Sequence, residues 1–493
     1  RRQRQMCIRD SPGDTAFHPV RARRRAYFRA VLAPDRTRRA DSTAPPISWW
    51  VIVGAAVLAV LSVAWQIRAL PFDDPFYGLF QNGTDLRVYQ AGGRVVLDGI
   101  PLYRHSVLWG LEFTYPPFAA LIMTPLALVA TGTAMAIWWS VTFAALFAAI
   151  VLSFRSLGYR VDARLLILSA LATVAATSLE PVRTTIWLGQ INIILMLLVL
   201  VDLVLLDTLR PGSRLQKLRL GGIGVGIAAG IKLTPAFFVV YLLALRRWRS
   251  ALTAAVAFVV TVAIAFVIVP SDSWRYWTVD AAGASTRIGR VDSPANQSVN
   301  GFICQLLAYF DIRRFAHPGP GGPVFTAPWW LWMPIALIAA GLGLWAAVVA
   351  HRLGRQLLSV TIAGMTASAV SPFSWGHHWV WFVPLLVVAF DQAYRSRSRW
   401  WWAAPAAIVA LSFNYWYNWW NSGPRWTADH AIALGLFMMP RWPDPQWFDY
   451  PLVLLYAGCY PLVLLLTIVV TLVGAARTRR STATTDAVSV TTA

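Results

Sequence analysis

Apolar and polar positions follow each other along the chain in long blocks rather than in short periods. Apolar runs of about 17 to 25 residues, the length that spans a bilayer, recur between Ile47 and Val473 and are joined by mostly short polar segments. Because backbone groups inside a bilayer must be hydrogen-bonded within the chain, each run is predicted to be an α-helix. The pattern therefore predicts an all-α polytopic membrane protein with about 10–12 transmembrane helices. The predicted full crossings are residues 47–67, 131–154, 165–180, 186–206, 251–269, 328–350, 356–373, 379–390, 400–413 and 449–473.

The arginines predict how these helices are oriented, because cytoplasmic loops carry the excess of basic residues. If 115–130 and 131–154 both crossed fully, the basic loop 155–164 would lie outside. We therefore expect 115–130 to be a re-entrant or interfacial helix. The stretch 220–245 has basic residues at both ends and is predicted to form two short helices that meet near the outer side. Both termini are then cytoplasmic.

The same pattern predicts the domain organisation. Residues 1–46 hold twelve arginines and are predicted to be a disordered, basic cytoplasmic tail. Residues 47–475 are predicted to form one transmembrane domain with three external loops, at 68–114, 270–327 and 414–448, and residues 476–493 are predicted to form a second cytoplasmic tail. Because the first residue is Arg1, Met6 is a candidate translation start.

Composition narrows the functional classes. Of 493 residues, 57% are hydrophobic and 13% charged, and the mean hydropathy is +0.54, which excludes a water-soluble globular enzyme. The formal charge is +21, and the basic residues that produce it lie in short groups between the apolar runs. This distribution is typical of loops that orient membrane helices, so no nucleic-acid partner is predicted. The three cysteines fall in different predicted compartments and imply no disulfide framework.

Ionisable residues at the rims of membrane spans are costly to place there and mark candidate sites. Asp85, in Asn82-Gly83-Thr84-Asp85, is either a helix N-cap or a carboxylate that takes a proton from a hydroxyl nucleophile, and the two roles are compatible. Lys232 is one of only two lysines and stands at the break of the 220–245 hairpin. It either extends to the membrane interface or binds a phosphate.

Polar residues in three other segments are predicted to lie on the same, external side. Glu180 and Arg183 form either a local ion pair or part of a site. Gln190 and Asn192 begin the span 186–206, where they either hydrogen-bond sugar hydroxyls or hold the turn between this span and the preceding one. The adjacent His377 and His378 either pack at the interface or hydrogen-bond an anionic ligand. Their spacing is poor for one metal ion, so no metal site is predicted. The third segment is the polar run Asn296-Gln297-Ser298-Val299-Asn300-Gly301.

Six ordered motifs together resemble one known family. They are Gly83-Thr84-Asp85-Leu86-x-Val88-Tyr89, Thr114-Tyr115-Pro116-Pro117, Gly189-Gln190-x-Asn192, Ile231-Lys232-Leu233-Thr234-Pro235, Asn296-Gln297-Ser298-x-Asn300-Gly301 and His377-His378. Over residues 47–475 the chain resembles glycosyltransferase family 87, the polyprenyl-phosphate-mannose-dependent α-(1→2)-mannosyltransferases of actinobacterial envelopes.

This resemblance implies a GT-C membrane fold and an inverting transfer on the outer face of the plasma membrane. Mannose would leave a decaprenyl-phosphate carrier and join the 2-hydroxyl of a mannoside in phosphatidylinositol mannoside, lipomannan or lipoarabinomannan. Asp85 matches the family's catalytic base. Charge developing on the phosphate is expected to be stabilised by cations, for which the candidates are Lys232, His377, His378, Arg183 and Arg287. The sugar-binding candidates are Tyr89, Glu180, Gln190, Asn192, Asn296, Gln297 and Asn300.

A lipid-phosphate donor lies in the bilayer and needs no nucleotide-binding domain. Because phosphate is a good leaving group, its departure needs no metal ion, so no cofactor is expected. Two alternatives remain open. One is a flippase or transporter of lipid-linked sugars, and the other is a GT-C enzyme that transfers a different sugar. The candidate residues gather at one rim rather than along a path through the bilayer, which favours an enzyme.

Overall fold

The computed structural model describes residues 46–205, 221–281, 288–319, 321–396, 398–417, 432–439, 447 and 450–491, with side chains to residue 477. All of these residues belong to one unit, Thr43–Ala493. The predicted tail up to residue 45, the basic turn 207–219, the phosphate-binding candidate Arg287 and most of the predicted loop 414–448 lie outside the described residues.

Helices make up most of the described chain, as the apolar runs predict. The α-helices are α1 Trp49–Ala69, α2 Thr84–Leu97, α3 Pro117–Ala127, α4 Thr131–Ser156, α5 Ala163–Ala176, α6 Glu180–Leu188, α7 Asn192–Leu200, α8 Ile223–Ile231, α9 Phe237–Ala244, α10 Trp248–Ile268, α11 Pro270–Arg275, α12 Val299–Tyr309, α13 Trp329–Arg352, α14 Gln356–Val370, α15 Phe382–Arg395, α16 Ala403–Ser412 and α17 Tyr450–Thr491. The strands are β1 Ala316–His317, β2 Val324–Phe325, β3 Tyr415–Tyr417 and β4 Ile432–Leu434, paired antiparallel as β1–β2 and β3–β4.

Five helices among the described residues are long and apolar enough to cross a membrane. They are α1, α4, α10, α13 and the Tyr450–Arg477 part of α17, and their bounds agree with the predicted spans to within a few residues. Shorter apolar helices of 10 to 17 residues, including α5 and α14, lie where further crossings were predicted. The chain is therefore a multi-pass membrane protein. The larger predicted number of crossings includes these shorter helices and stays a prediction.

The predicted continuous span 186–206 is wrong. Helix α6 ends at Leu188, and α7, extended by a π-helical turn to Leu205, leaves at a bend of 118°. The bend is formed at Gly189, which has φ +70°. A side chain at this left-handed position would be strained and would collide with Leu86. The bend brings Gln190 and Asn192 beside the start of α2.

Close packing of α8 on α10 carries Lys232 to its position. Gly222, Gly226 and Gly230 recur every four residues and face α10, and a Cβ at each would clash with its backbone or side chains. Small residues at this spacing let two membrane helices approach closely. Lys232 follows directly after α8, where the helix must end because Pro235 begins the next turn.

Helix α14 is buried along almost its whole length. Every residue from Leu357 to Ala369 is buried, and α13 and α15 pack against it. After α14 the chain forms the short segment 371–375 and then a 3₁₀ turn, Gly376–Trp379, which carries both predicted histidines. We call Gly376–Trp379 the histidine turn. Helix α14 precedes it in the chain and α15 follows it, and these two helices hold it in place.

Candidate active site

Asp85 lies in the first turn of α2, but it does not cap the helix. Gly83 occupies the N-cap position with φ +63°, and the side-chain Oδ1 of Asn82 accepts the backbone N–H of Thr84 at 2.8 Å. The Gly83 N–H donates to the Trp187 carbonyl at 2.8 Å, which ties this turn to α6. The N-cap reading of Asp85 is therefore wrong, and its carboxylate is free for other partners.

Gln190 holds the Asp85 carboxylate. Its Nε2 donates to Asp85 Oδ2 at 2.7 Å, while Oδ1 accepts no hydrogen bond among the described residues. Gln190 Oε1 lies 3.0 Å from the Tyr89 hydroxyl and 3.1 Å from the Tyr115 hydroxyl, and these two hydroxyls are 2.9 Å apart. Donation from tyrosine to Oε1 orients the amide with its N–H toward the carboxylate. Asp85 is thus fixed through one oxygen and open at the other.

Lys232 lies on the other side of Tyr115. Its ammonium is 5.4 Å from the centre of the Tyr115 ring, within the range of a cation–π contact. The ammonium also donates to Asn192 Oδ1 at 2.9 Å and lies 3.1 Å from His378 Nε2. Asn192 Nδ2 in turn donates to the His377 carbonyl at 3.0 Å. Tyr115 therefore joins the carboxylate and the ammonium in one site, although the sequence analysis did not name it as a site residue.

Burial brings the pKa values of the acid and the amine close to neutrality. It raises the pKa of Asp85 to about 6, against the lowering effects of Gln190 and of the Lys232 charge. It lowers the pKa of Lys232 to about 7, against the raising effect of the Asp85 charge. Groups with such values exchange protons readily at neutral pH, as acid–base catalysis requires.

The direction of the pKa shifts of the two histidines favours their neutral forms, whereas the sequence analysis named them as candidate cations. Burial, followed by the nearby Lys232 charge, holds the pKa of His377 and of His378 well below its ordinary value. Lys232 is then the donor and His378 Nε2 the acceptor in their contact. His377 Nε2 and His378 Nδ1 are buried without a hydrogen-bond partner among the described residues. They offer uncharged hydrogen-bonding groups beside a single cation.

Asn296, Gln297 and Asn300, which were predicted to bind sugar, form hydrogen bonds within the protein. Asn296 Oδ1 accepts the backbone N–H of Ser374 at 2.9 Å. The Gln297 backbone N–H donates to the Ser374 carbonyl at 2.7 Å, and its side chain donates to the Ala457 carbonyl at 3.1 Å. Asn300 Nδ2 donates to the Pro372 carbonyl at 3.0 Å. All three are buried; the Asn296 and Asn300 side chains position segment 372–375, whereas the Gln297 side chain bonds to α17.

Glu180 and Arg183 lie toward the opposite end of α6 from Gln190. Glu180 Oε2 accepts the Tyr460 hydroxyl at 2.7 Å and borders Gly376, where a side chain would collide with it. Arg183 is 1% exposed, donates to the Tyr77 carbonyl and lies 4.9 Å from the Trp187 ring centre. No hydrogen bond or ion pair among the described residues links Arg183 to Asp85 or Lys232, so it lies outside the site.

An apolar cavity adjoins the cationic end of the site. Its volume is about 40 Å³, and Lys232, Asn192 and His378 contribute its polar wall. Side chains of α7, α9 and α14, together with Thr234, Pro235, Val380 and Trp381, form the rest. Across the described residues, no group of three or more His, Cys, Asp or Glu side chains is placed to hold a metal ion. The expectation of no cofactor stays a prediction.

The chain is similar to known glycosyltransferases. A model of glycosyltransferase family 87 matches residues 113–372, which include Tyr115, Gln190 and Lys232 but not Asp85 or the histidines. A protein of Mycolicibacterium smegmatis, named polyprenol-phosphate-mannose-dependent alpha-(1-2)-phosphatidylinositol mannoside mannosyltransferase, is 31% identical over 77% of this chain and 84% of its own length.

Two proteins of Mycobacterium tuberculosis are similarly related. One carries the same name and is 32% identical over 71% of this chain and 77% of its own length. The other, a polyprenol-phosphate-mannose-dependent alpha-(1-2)-phosphatidylinositol pentamannoside mannosyltransferase, is 35% identical over 64% of this chain and 68% of its own length. No solved structure matches the chain.

Proposed function

The chain belongs to glycosyltransferase family 87, and from this we propose that it transfers mannose from polyprenyl-phosphate-mannose to the 2-hydroxyl of a mannoside. The acceptor is a phosphatidylinositol mannoside, as in the names of the relatives. The observation that carries the proposal is that Gln190 and Tyr115 link one carboxylate, Asp85, to one ammonium, Lys232. A displacement that releases a proton and a phosphate needs both groups.

Asp85 acts as the general base. The acceptor hydroxyl attacks the anomeric carbon of the donor mannose, its proton passes to Asp85 Oδ1, and the carbon–oxygen bond to phosphate breaks with its electrons going to the phosphate oxygen. Oδ1 is the oxygen without a partner, because Gln190 occupies Oδ2. General-base catalysis of this kind contributes about 10²–10⁴-fold. One displacement inverts the anomeric configuration.

Lys232 binds the departing phosphate. Its ammonium is oriented by Asn192 and His378, so it needs little rearrangement as negative charge develops. A preorganised donor of this kind is worth about 3 kcal/mol in the transition state. His377 Nε2 and His378 Nδ1 are suited to hydrogen-bond the sugar or the phosphate. The apolar cavity beside Lys232 is suited to the start of the prenyl chain.

The site faces the extracytoplasmic side, and both termini are cytoplasmic. The support is the excess of arginine in loops at the other ends of the spans, as the positive-inside rule requires. A cysteine introduced at exposed Ser106 should react with a membrane-impermeant maleimide in intact cells, and one at exposed Arg160 should react only after lysis. The reverse pattern would overturn this orientation.

The decisive test is mannosyl transfer by the Asp85→Asn variant. With synthetic polyprenyl-phosphate-mannose and a phosphatidylinositol mannoside, we expect the loss of at least about 99% of wild-type turnover. Asp98→Asn is the matched control, because Asp98 ends the same helix and forms only an exposed ion pair with Arg94 at 3.4 Å.

Three results would contradict the proposal. Retention of more than about a tenth of the activity by Asp85→Asn excludes a base role. If the wild-type chain moves the labelled donor across proteoliposome membranes without forming a glycosidic bond, the protein is a transporter. Competition by carriers of arabinose, galactose or glucose identifies a different donor sugar.

A further inference from the structure

A second cavity lies between the loop after α2 and helix α11, and we propose that it binds neutral mannose units of the acceptor glycan that do not react. Its volume is about 510 Å³, within the range of small-molecule sites. This inference rests on the proposed function, and it adds where the remainder of the acceptor lies. The side chains that carry the argument are Arg104, Ser271, Asp272, Trp274, Arg275 and Thr278.

The wall of this cavity combines the groups that recognise sugar hydroxyls. Arg104 and Arg275 supply guanidinium donors, Asp272 supplies carboxylate oxygens, and the two hydroxyl side chains both donate and accept. Trp274 is 67% exposed and offers an indole face to the apolar C–H face of a sugar ring. Mixed donors and acceptors beside one exposed aromatic ring fit a polyol.

The charges in and around the cavity balance, which selects a neutral ligand over an anion. Arg275 Nε lies 3.3 Å from Asp280 Oδ2, and Asp272 carries the charge that opposes Arg104. Two guanidiniums facing two carboxylates give a phosphate little net attraction. A sugar needs no net charge, because vicinal hydroxyls donate to the carboxylate and accept from the guanidinium.

One residue connects this cavity to the reaction site. Leu102 donates its backbone N–H to Asp272 Oδ1 at 2.9 Å, which holds the loop against α11. The next residue, Tyr103, donates its hydroxyl to the Tyr115 carbonyl at 2.6 Å and packs on Tyr276 with ring centres 5.2 Å apart. Through Tyr103, the loop that borders the cavity is therefore joined to Tyr115 of the Asp85–Lys232 site.

The test compares acceptors of different length. The full chain is assayed with octyl α-mannoside, which has one sugar, and with a phosphatidylinositol mannoside that has several. For Trp274→Ala and Arg275→Gln we expect the KM of the glycolipid to rise about tenfold, the effect of losing roughly one charged hydrogen bond or one aromatic contact. The kcat, the donor KM and the KM of octyl α-mannoside should stay unchanged.

Arg313→Gln is the matched control. Arg313 is also paired with a nearby aspartate, Asp311, at 2.7 Å, but on an exposed surface away from the cavity, and its loss should change no KM. A binding measurement without donor is independent of transfer: saturation-transfer NMR with free mannotriose should detect binding to the wild-type chain and not to Trp274→Ala.

Several outcomes overturn the inference. Equal KM increases for both acceptors indicate a general structural effect. A change in the donor KM alone indicates that the cavity binds phosphate. Unchanged kinetics with weaker association of the protein with vesicles indicate that Trp274 only contacts lipid. If the wild-type chain transfers no mannose, the proposed function fails, while the mannotriose measurement still decides whether this cavity binds sugar.

Discussion

Replacing Gln190 with leucine tests whether the Asp85 carboxylate is held ready as a base. The change keeps the side-chain size close to that of glutamine but removes the N–H that donates to Asp85 Oδ2 at 2.7 Å. This hydrogen bond lowers the pKa of Asp85, which burial raises to about 6. Without the bond, burial acts with less opposition, so the pKa of Asp85 must rise.

The size of the effect follows from the strength of the bond. A hydrogen bond to a charged group is worth about 1.5–3 kcal/mol, which corresponds to about 1 to 2 pKa units. At pH 7 the ionised fraction of Asp85 then falls from about nine tenths to between about a half and a tenth. We therefore expect kcat/KM at pH 7 to fall about two- to tenfold. The loss should be larger at pH 6 and smaller at pH 8.

The assay is mannosyl transfer from labelled polyprenyl-phosphate-mannose between pH 5 and pH 9. For the wild type we expect kcat/KM to rise with an apparent pKa near 6, as Asp85 ionises, and to fall above about 7, as Lys232 loses its proton. In Gln190→Leu only the acid limb should move, to higher pH. Gln81→Leu, at an exposed position, is the control. An acid limb that coincides with that of the wild type, or a loss equal at every pH, would refute the reasoning.

Three further substitutions test other parts of the structure. Lys232→Met should reduce kcat for transfer about 10²-fold through loss of a cation at the departing phosphate, and an unchanged kcat would remove Lys232 from that role. Tyr115→Phe should reduce kcat/KM about threefold, because it loses the hydroxyl that contacts Gln190 and Tyr89 but keeps the ring beside Lys232; no difference from the wild type would make the hydroxyl irrelevant. Gly230→Val should destabilise the protein by about 2 kcal/mol, because its side chain collides with Thr261 of α10. Thermal unfolding in detergent measures this, and Gly132→Val, at a position with open space, is the control.

The membrane architecture could be predicted from the sequence to a large extent. The bounds of α1, α4, α10 and α13 follow from the apolar runs, because the bilayer sets one length for every crossing helix. The short helix α3 was also expected, from the basic loop that follows α4. The bend between α6 and α7 was missed, because the apolar pattern continues through Gly189 while the backbone turns.

The candidate site could be predicted in part. Asp85, Gln190, Asn192, Lys232 and His378 were singled out one by one, and the structure brings them together. The polar run at Asn296 was assigned to sugar binding, whereas the Asn296 and Asn300 side chains bond to segment 372–375, just before the histidine turn. Polar residues that bind substrate and polar residues that position a loop look the same in a sequence, since both interrupt an apolar pattern.

The sequence by itself determined the class of the protein: its apolar runs require a bilayer, its arginines predict an orientation, and its isolated ionisable residues mark where chemistry is concentrated. Only the tertiary structure decided which of those residues meet. Tyr115 lies between Asp85 and Lys232, residues separated by more than a hundred positions, and Arg183 lies apart from them despite its place beside Gln190 in the chain. The physical reason is that hydrophobic periodicity reports the environment of each helix face, whereas contacts between helices depend on bends and close-packed glycines that periodicity does not record.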